Sequence, residues 1–387
     1  MMGPGSRLRR LAVVLGVAAV AALLTLVVLE LGLRALGDQL HALGPPGGKY
    51  TFNPDPAVMP GVEGPSRVSF NSHGMRADEL EDRHRPRVLV FGGSTTACNY
   101  VDQDKTWTAL LQKHLGDDAW VGNAGKEGLS SRDHVLQMHY LLPEVPGVDV
   151  VLCMLGMNDL TLRLQEDEAY DPRFFSRPKL VEKRLDRIFF FRPRGYSFKP
   201  WRRTAIYERW ARSRIKRTVA SHASREDPVG NTYVERRQVR RDAKQIRTEL
   251  PDLGPALAEF ARNVRSMIRI ARERDVRIVF ATQPAMWDEG LSDDLAALLW
   301  FGWIDHKPWG GATEYYSVAA LRSTIDRYNA TLRETCLAES VECVDLAARL
   351  PRDTTVFFDD CHFNDSGSRL VAEVLAEHFA KAPIEPR

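Results

Sequence analysis

Five short, almost purely apolar runs separated by stretches of helical spacing constrain this chain more than any other feature. They are Val88-Leu-Val-Phe, Trp120-Val-Gly, the longer run at 148–155, Val276-Arg-Ile-Val-Phe-Ala and Val341-Glu-Cys-Val-Asp-Leu. A strand that is apolar throughout is buried on both faces, which is the condition of a parallel sheet sandwiched between helices. Helical periodicity at 107–115, 131–142, 256–274, 316–337 and 365–380 supplies the cover. The expectation is an α/β fold with a mostly parallel, five-stranded sheet. In such sheets a ligand sits beyond the carboxyl ends of the strands.

The N-terminus has a different character. Arg7, Arg9 and Arg10 precede an uncharged run over residues 11–29, closed by Glu30 and Arg34. Nineteen helical residues span about 28 Å, enough to cross a hydrocarbon core. Basic residues before the run favour a cytoplasmic N-terminus and an exported remainder, periplasmic or on the cell surface. A cleaved signal peptide is the rival reading, but no small-residue cleavage site follows. The expected layout is a basic stub and membrane anchor at 1–34, a Gly- and Pro-rich stalk at 35–85, and a catalytic domain at 86–382. With 387 residues, 44% of them hydrophobic, there is ample material for one core. A net charge of +2 gives no reason to expect a nucleic-acid partner.

Between about 161 and 250 the strand and helix alternation stops, and Lys and Arg outnumber Asp and Glu about two to one. This reads as an insertion of solvated helices. A functional alternative is contact with anionic head groups or an anionic substrate. Five cysteines in an exported chain permit disulfides, and Cys98–Cys361 and Cys336–Cys343 are the candidate pairs, with free buried thiols as the alternative.

Three motifs carry chemistry: Gly92-Gly93-Ser94-Thr95, Gly156-Met157-Asn158-Asp159 and Asp359-Asp360-Cys361-His362. The first two directly follow strand-like runs. A serine hydroxyl is a weak nucleophile until a base takes its proton, and His362 is the candidate base. Asp359, three residues earlier, can reach the far ring nitrogen and fix its tautomer; Asp360 is the neighbouring alternative. Negative charge developing on a carbonyl needs donors, which the Asn158 amide, the Ser94 N–H and a glycine N–H within Asn123-Ala-Gly-Lys-Glu-Gly128 can offer. A phosphate-binding reading of Gly-Gly-Ser-Thr lacks the expected lysine. The remaining histidines have no metal-ligand spacing, and neither metal nor cofactor is expected.

Together these blocks resemble the SGNH hydrolases, or GDSL esterases and lipases. Phe91-Gly-Gly-Ser94, Asn123 to Gly128, Leu155-Gly-Met-Asn158-Asp and Asp359-Asp-Cys-His362 match the four blocks of that family. The resemblance implies a flavodoxin-like three-layer fold, Ser94 as nucleophile, His362 as base and Asp359 as its partner. It also implies Ser94, Gly128 and Asn158 as the oxyanion donors. One departure stands out: Gly93 occupies the place of the usual Asp in Gly-Asp-Ser. The expected activity is removal of a small acyl group from an acylated small molecule or glycan, for which Trp287, Trp300, Trp303 and Trp309 offer sugar-stacking faces, with simple packing under their loop as the equal alternative. Acyl transfer to an envelope glycan and a non-catalytic envelope scaffold are the alternatives.

Overall fold

All five apolar runs form strands in the computed structural model, which describes residues 4–36, 42–191, 193, 199–222, 229–304 and 313–386. In chain order the strands are β1 (Lys49–Phe52), β2 (Ser66–Ser69), β3 (Arg87–Gly92), β4 (Trp120–Asn123), β5 (Val150–Met154), β6 (Gln245–Arg247), β7 (Arg277–Ala281), β8 (Glu314–Tyr316) and β9 (Glu342–Val344). The central sheet has the order β4-β3-β5-β7-β9. Every pairing in it is parallel, with Val88 opposite Val150 and Val150 opposite Arg277. β3 and β5 are buried along their whole length, which is why their sequences do not alternate.

The chain winds outward from β3 to β4, then returns past β3 to β5 and onward. The helix Trp107–Leu115 lies on one face, with Asp365–Lys381 packed against it. Ser131–Leu141, Gly254–Arg272 and Val318–Ala338 pack together on the other. The reversal of strand order lies between β3 and β5, so the crevice for a ligand opens at their carboxyl ends. Ser94 follows β3 and Asn158 follows β5.

The chain divides into two units, Met1–Leu40 with Pro193–Ala220, and His41–Arg192 with Ser221–Arg387. The first holds the helix Pro4–Ala35, whose segment Arg9–Ala35 is long and apolar enough to cross a membrane and is exposed throughout. Within the same unit the Glu30 carboxylate accepts the N–H groups of Ala205 and Ile206, capping the helix Ala205–His222.

In the second unit, the segment read as a stalk is packed from residue 42 onward. β1 and β2 pair antiparallel, and Met59, Val62, Val68 and Met75 are buried. Arg76 reaches from this segment to the carbonyls of Ala97, Cys98 and Val101, and Ser66 Oγ donates to those of Asn99 and Val101. The segment therefore braces the chain just after Ser94. Sequence reading missed this because the bracing comes from single polar side chains, not from a periodic apolar face.

Neither expected disulfide is formed: all five cysteines are free thiols. Cys98 ends the short helix Ser94–Ala97 with φ 50° and turns its Sγ to the Thr95 carbonyl, 3.1 Å away. Cys361 Sγ instead lies 3.9 Å from His362 Nδ1. Cys336 and Cys343 do meet, but as thiols sharing a hydrogen bond.

Candidate active site

β3 delivers Ser94 by ending in two glycines. A Cβ on Gly92 would lie 2.1 Å from Thr96 Oγ1, and one on Gly93 would lie 2.3 Å from Asn158 Nδ2. The glycine that replaces the family's aspartate thus lets the Asn158 amide approach the nucleophile turn. Ser94 opens the helix Ser94–Ala97, where backbone N–H groups have no intrahelical acceptor. Its neighbour Thr95 donates to Gln283 Oε1 at 3.1 Å, tying the turn to the end of β7.

His362 brings the last block to the same place. Its Nε2 is 2.8 Å from Ser94 Oγ, and its Nδ1 is 2.7 Å from Asp359 Oδ2. With the carboxylate accepting from Nδ1–H, Nε2 is left to accept the serine proton. Asp359 is completely buried and has its carboxylate fixed by its own turn: Oδ1 accepts the N–H groups of Cys361 and His362 at 3.0 and 2.8 Å. Burial alone would favour its neutral form. The facing imidazole, those N–H donors and the Trp300 indole outweigh burial and hold it below the usual carboxylate range. For His362, burial works against the imidazolium, but Asp359 prevails and raises its pKa above the ordinary value.

Asp360, the sequence alternative for the partner, faces away from the imidazole. Its oxygens accept Trp287 Nε1–H at 2.7 Å and the N–H groups of Trp300 and Phe301 at 2.8 and 3.2 Å. Burial first, and then the charge of Asp359, push its pKa up. The tryptophan-rich loop therefore grips both tandem aspartates. Trp300 Nε1–H donates to Asp359 Oδ2 at 2.9 Å, a contact that no sequence spacing announces. Trp287 is fully buried, and Trp300 and Trp303 stack on each other at 5.5 Å and are more than nine-tenths buried. Packing, more than open sugar-stacking faces, is what these rings do. Trp309 lies outside the described residues.

The donor side is built by the second and third blocks together. Asn158 Nδ2 donates one hydrogen to the Leu129 carbonyl at 2.9 Å, leaving the other available. Asp159 accepts from Ser131 N–H and Oγ, so the Gly-x-Asn-Asp motif clamps the loop that carries Gly128. Burial raises the Asp159 pKa to about 7 against the opposing pull of Ser131. Gly128 itself has φ +67°, a conformation that favours glycine. Ser94, Gly128, Asn158 and His362 all line one cavity of about 390 Å³. A second void of about 10 Å³ adjoins Ser94 and His362, walled by Cys98, Tyr100 and Phe358.

The described helices of the basic insertion are largely exposed, as solvated helices would be, but each also turns some residues inward. The helices Pro178–Ile188 and Val229–Arg241 supply Arg184, Arg187, Tyr233 and Arg236 to the cavity wall. Arg237 is buried and donates to the carbonyls of Val58, Leu298 and Phe358, while Arg240 donates to those of Phe301 and Tyr316.

Ligand atoms of Asp359, Cys361 and His362 fall within 4.8 Å of one another, the spacing a metal ion would need. The oxygens of Asp359 are taken by four N–H donors and His362 Nε2 faces Ser94, so these atoms are already arranged as a hydrogen-bonded relay.

Comparison with known proteins gives one family. The model of the GDSL-like Lipase/Acylhydrolase family matches residues 90–370. No curated protein sequence matches the chain. Among solved structures, the chain is similar to a catalytic mutant of Axe2, an acetylxylan esterase from Geobacillus stearothermophilus, at 13% identity, with 79% of this chain and 98% of that one covered and a TM-score of 0.40. It is also similar to a member of the lipolytic protein G-D-S-L family from Veillonella parvula DSM 2008, at 10% identity over 76% of this chain and 98% of that one, with a TM-score of 0.40. A third, the acetyl xylan esterase AlAXEase, is 14% identical over 76% and 98% of the two chains, with a TM-score of 0.39.

Proposed function

The chain belongs to the GDSL-like lipase/acylhydrolase family and is an ester hydrolase, and from that premise we propose that it is a serine-dependent carboxylester hydrolase that removes a small acyl group, such as acetyl, from a carbohydrate. The observation that carries this reading is the continuous contact from Asp359 to His362 to Ser94, with heavy-atom distances of 2.7 and 2.8 Å. In the proposed reaction His362 Nε2 takes the Ser94 proton as Oγ attacks the ester carbonyl. Asp359 stabilises the imidazolium formed, and the N–H groups of Ser94 and Gly128 with the Asn158 amide receive the negative charge on the carbonyl oxygen. The imidazolium then protonates the leaving alcohol. Water, deprotonated by the same ring, releases the acid from the acyl-serine.

Support for a short acyl group comes from size. The 10 Å³ void beside Ser94 is about one water or methyl in volume, whereas the 390 Å³ cavity that also reaches Ser94 has room for a sugar-sized alcohol. The helix Arg9–Ala35 with Arg9 and Arg10 at its start supports an anchored protein with a cytoplasmic N-terminus and an extracytoplasmic catalytic part. Turnover of para-nitrophenyl esters from acetyl to octanoyl by the full-length protein in detergent tests the reading. The expected profile peaks at acetyl and vanishes in Ser94→Ala and His362→Ala. A peak at octanoyl would replace the small-acyl reading with a lipase, and turnover surviving Ser94→Ala would end the serine mechanism.

A further inference from the structure

The geometry points to an ester whose alcohol portion carries an oxyanion, a carboxylate or a phosphate, seated against Arg187 and Arg184 in the cavity that holds Ser94. This inference rests on the esterase reading of that cavity and adds the substrate class.

The arginines of the inserted segment divide by what they do. Arg237 and Arg240 spend their N–H groups on backbone carbonyls and hold the fold together. Arg184, Arg187 and Arg236 project into the cavity instead. Arg184 and Arg187 are three residues apart on the helix Pro178–Ile188, so their guanidinium groups leave the same helix face. Asp133 pairs with one of them: its Oδ1 lies 3.4 Å from Arg184 Nε, and the carboxylate is fully buried. Arg187 has no carboxylate within ion-pair distance among the described residues. Its hydrogen bond goes to the Gly128 carbonyl at 3.1 Å, which leaves most of its fork of donors open to the cavity. Arg187 is exposed as a whole; desolvation of the part turned to the protein and the neighbouring Arg184 charge lower its pKa, and a bound anion would offset that effect.

The third arginine in the lining differs. Arg236 stacks 4.4 Å over the Trp300 ring and 5.2 Å over the Tyr233 ring, and it feels the negative charge of Glu127. Glu127 is the carboxylate on the cavity wall, and it accepts from Asn99 at 2.9 Å. Two guanidinium groups with one ion-paired carboxylate between them thus leave a net positive charge on the Arg187 and Arg184 side of the lining that also holds Gly128 and Asn158. A planar guanidinium fork fits a carboxylate or phosphate with two parallel hydrogen bonds. An ester held there has its anion fixed a short reach from the carbonyl that Ser94 attacks.

The experiment compares three esters bearing acetyl at the same position: a neutral methyl glucoside, the corresponding uronide, and the 6-phosphate. The full-length protein is assayed in detergent at low and high salt, alongside Arg187→Gln and Arg187→Lys. The expected result is a kcat/KM at least about tenfold higher for one of the anionic esters than for the neutral one, shrinking with added salt. The uronide and phosphate arms decide which oxyanion is read. In Arg187→Gln the ratio of anionic to neutral turnover should collapse to within about twofold, and Arg187→Lys should retain part of it. Equal wild-type turnover of neutral and anionic esters, or a ratio unchanged in Arg187→Gln, would overturn the inference while leaving the esterase intact. If no ester at all is turned over, the esterase reading itself has failed. Calorimetric binding of the deacetylated uronide and phosphate, lost in Arg187→Gln or equally strong in it, then decides the anion site separately.

Discussion

The loops at the strand ends and the helices inserted after them face each other across one cavity, yet they are built on opposite principles. Ser94, Asn158, Asp359 and His362 stand on turns whose backbone and side-chain hydrogen bonds are almost fully committed, as with the four N–H donors on Asp359. Arg184 and Arg187 project from the side of a helix, with one buried carboxylate between them and donors to spare. The first arrangement fixes atoms to within a fraction of an ångström, as bond-making demands. The second offers charge and space without dictating one geometry. On the proposed reading the difference separates two tasks: the loops that carry Ser94 and His362 perform the acyl chemistry, and the inserted helices choose what is presented to it.

That division can be broken most directly at Ser94. Ser94→Ala and His362→Ala should each lower kcat/KM by about 10⁴-fold or more, equally for neutral and charged esters. A loss that depended on substrate charge would show that the two regions are not separable. Asp359→Asn comes next, with a fall of about 10³- to 10⁴-fold and a displaced pH profile. The base must be neutral, so activity is lost as pH falls through the His362 pKa, and Asp359 places that limb above the ordinary value of about 6.5. Without the carboxylate, burial still opposes the imidazolium, and the limb should move to lower pH. A limb that stays in place would mean another group sets it. Asn158→Ala should cost about 10²- to 10³-fold in kcat, the usual effect of one oxyanion donor. A change confined to KM would instead assign Asn158 to holding the Leu129 carbonyl.

The same division explains what could be read in advance. The sheet was legible because β3, β5 and β7 are continuous apolar runs, and burial on both faces leaves no other way to write them. Ser94, Asn158, Asp359 and His362 were legible because each sits in a short local motif, and the structure brings all four together. The partners that act from a distance were not. Arg76 under the nucleophile turn, Trp300 on Asp359 and Arg237 on the Phe358 carbonyl each make contacts across more than 20 residues of chain. Nothing in their neighbours' spacing marks them. Basic composition at 161–250 was visible, but composition cannot distinguish an arginine spent on a carbonyl from one aimed into a cavity. The disulfide expectation failed for a related reason: motif adjacency placed Cys98 and Cys361 near one site without saying which way either thiol points.

The smallest effect sharpens the comparison within a single region, at the tandem aspartates. Trp300→Phe removes the indole donor from Asp359 Oδ2 and keeps a ring face for Arg236. Asp359 retains His362 and two backbone donors, so the ring is still oriented but its counter-charge is less well fixed. A fall in kcat/KM of about three- to tenfold is expected, together with some loss of thermal stability from the smaller ring in a nearly buried site. Trp287→Phe removes the donor to Asp360, whose carboxyl is fully buried and does not touch the imidazole. Leaving a buried acceptor short of a partner costs about 1–3 kcal/mol, so this variant should lose stability while its kcat on para-nitrophenyl acetate stays within about twofold of the parent. Thermal denaturation beside steady-state rates reads both effects in the same preparations. If Trp287→Phe proved the more damaging to turnover, the chemistry would extend through Asp360 and the tryptophan loop would belong with the reacting strand ends. The expected pattern makes Asp360 a fastening for the loop and Asp359 alone the partner of the base.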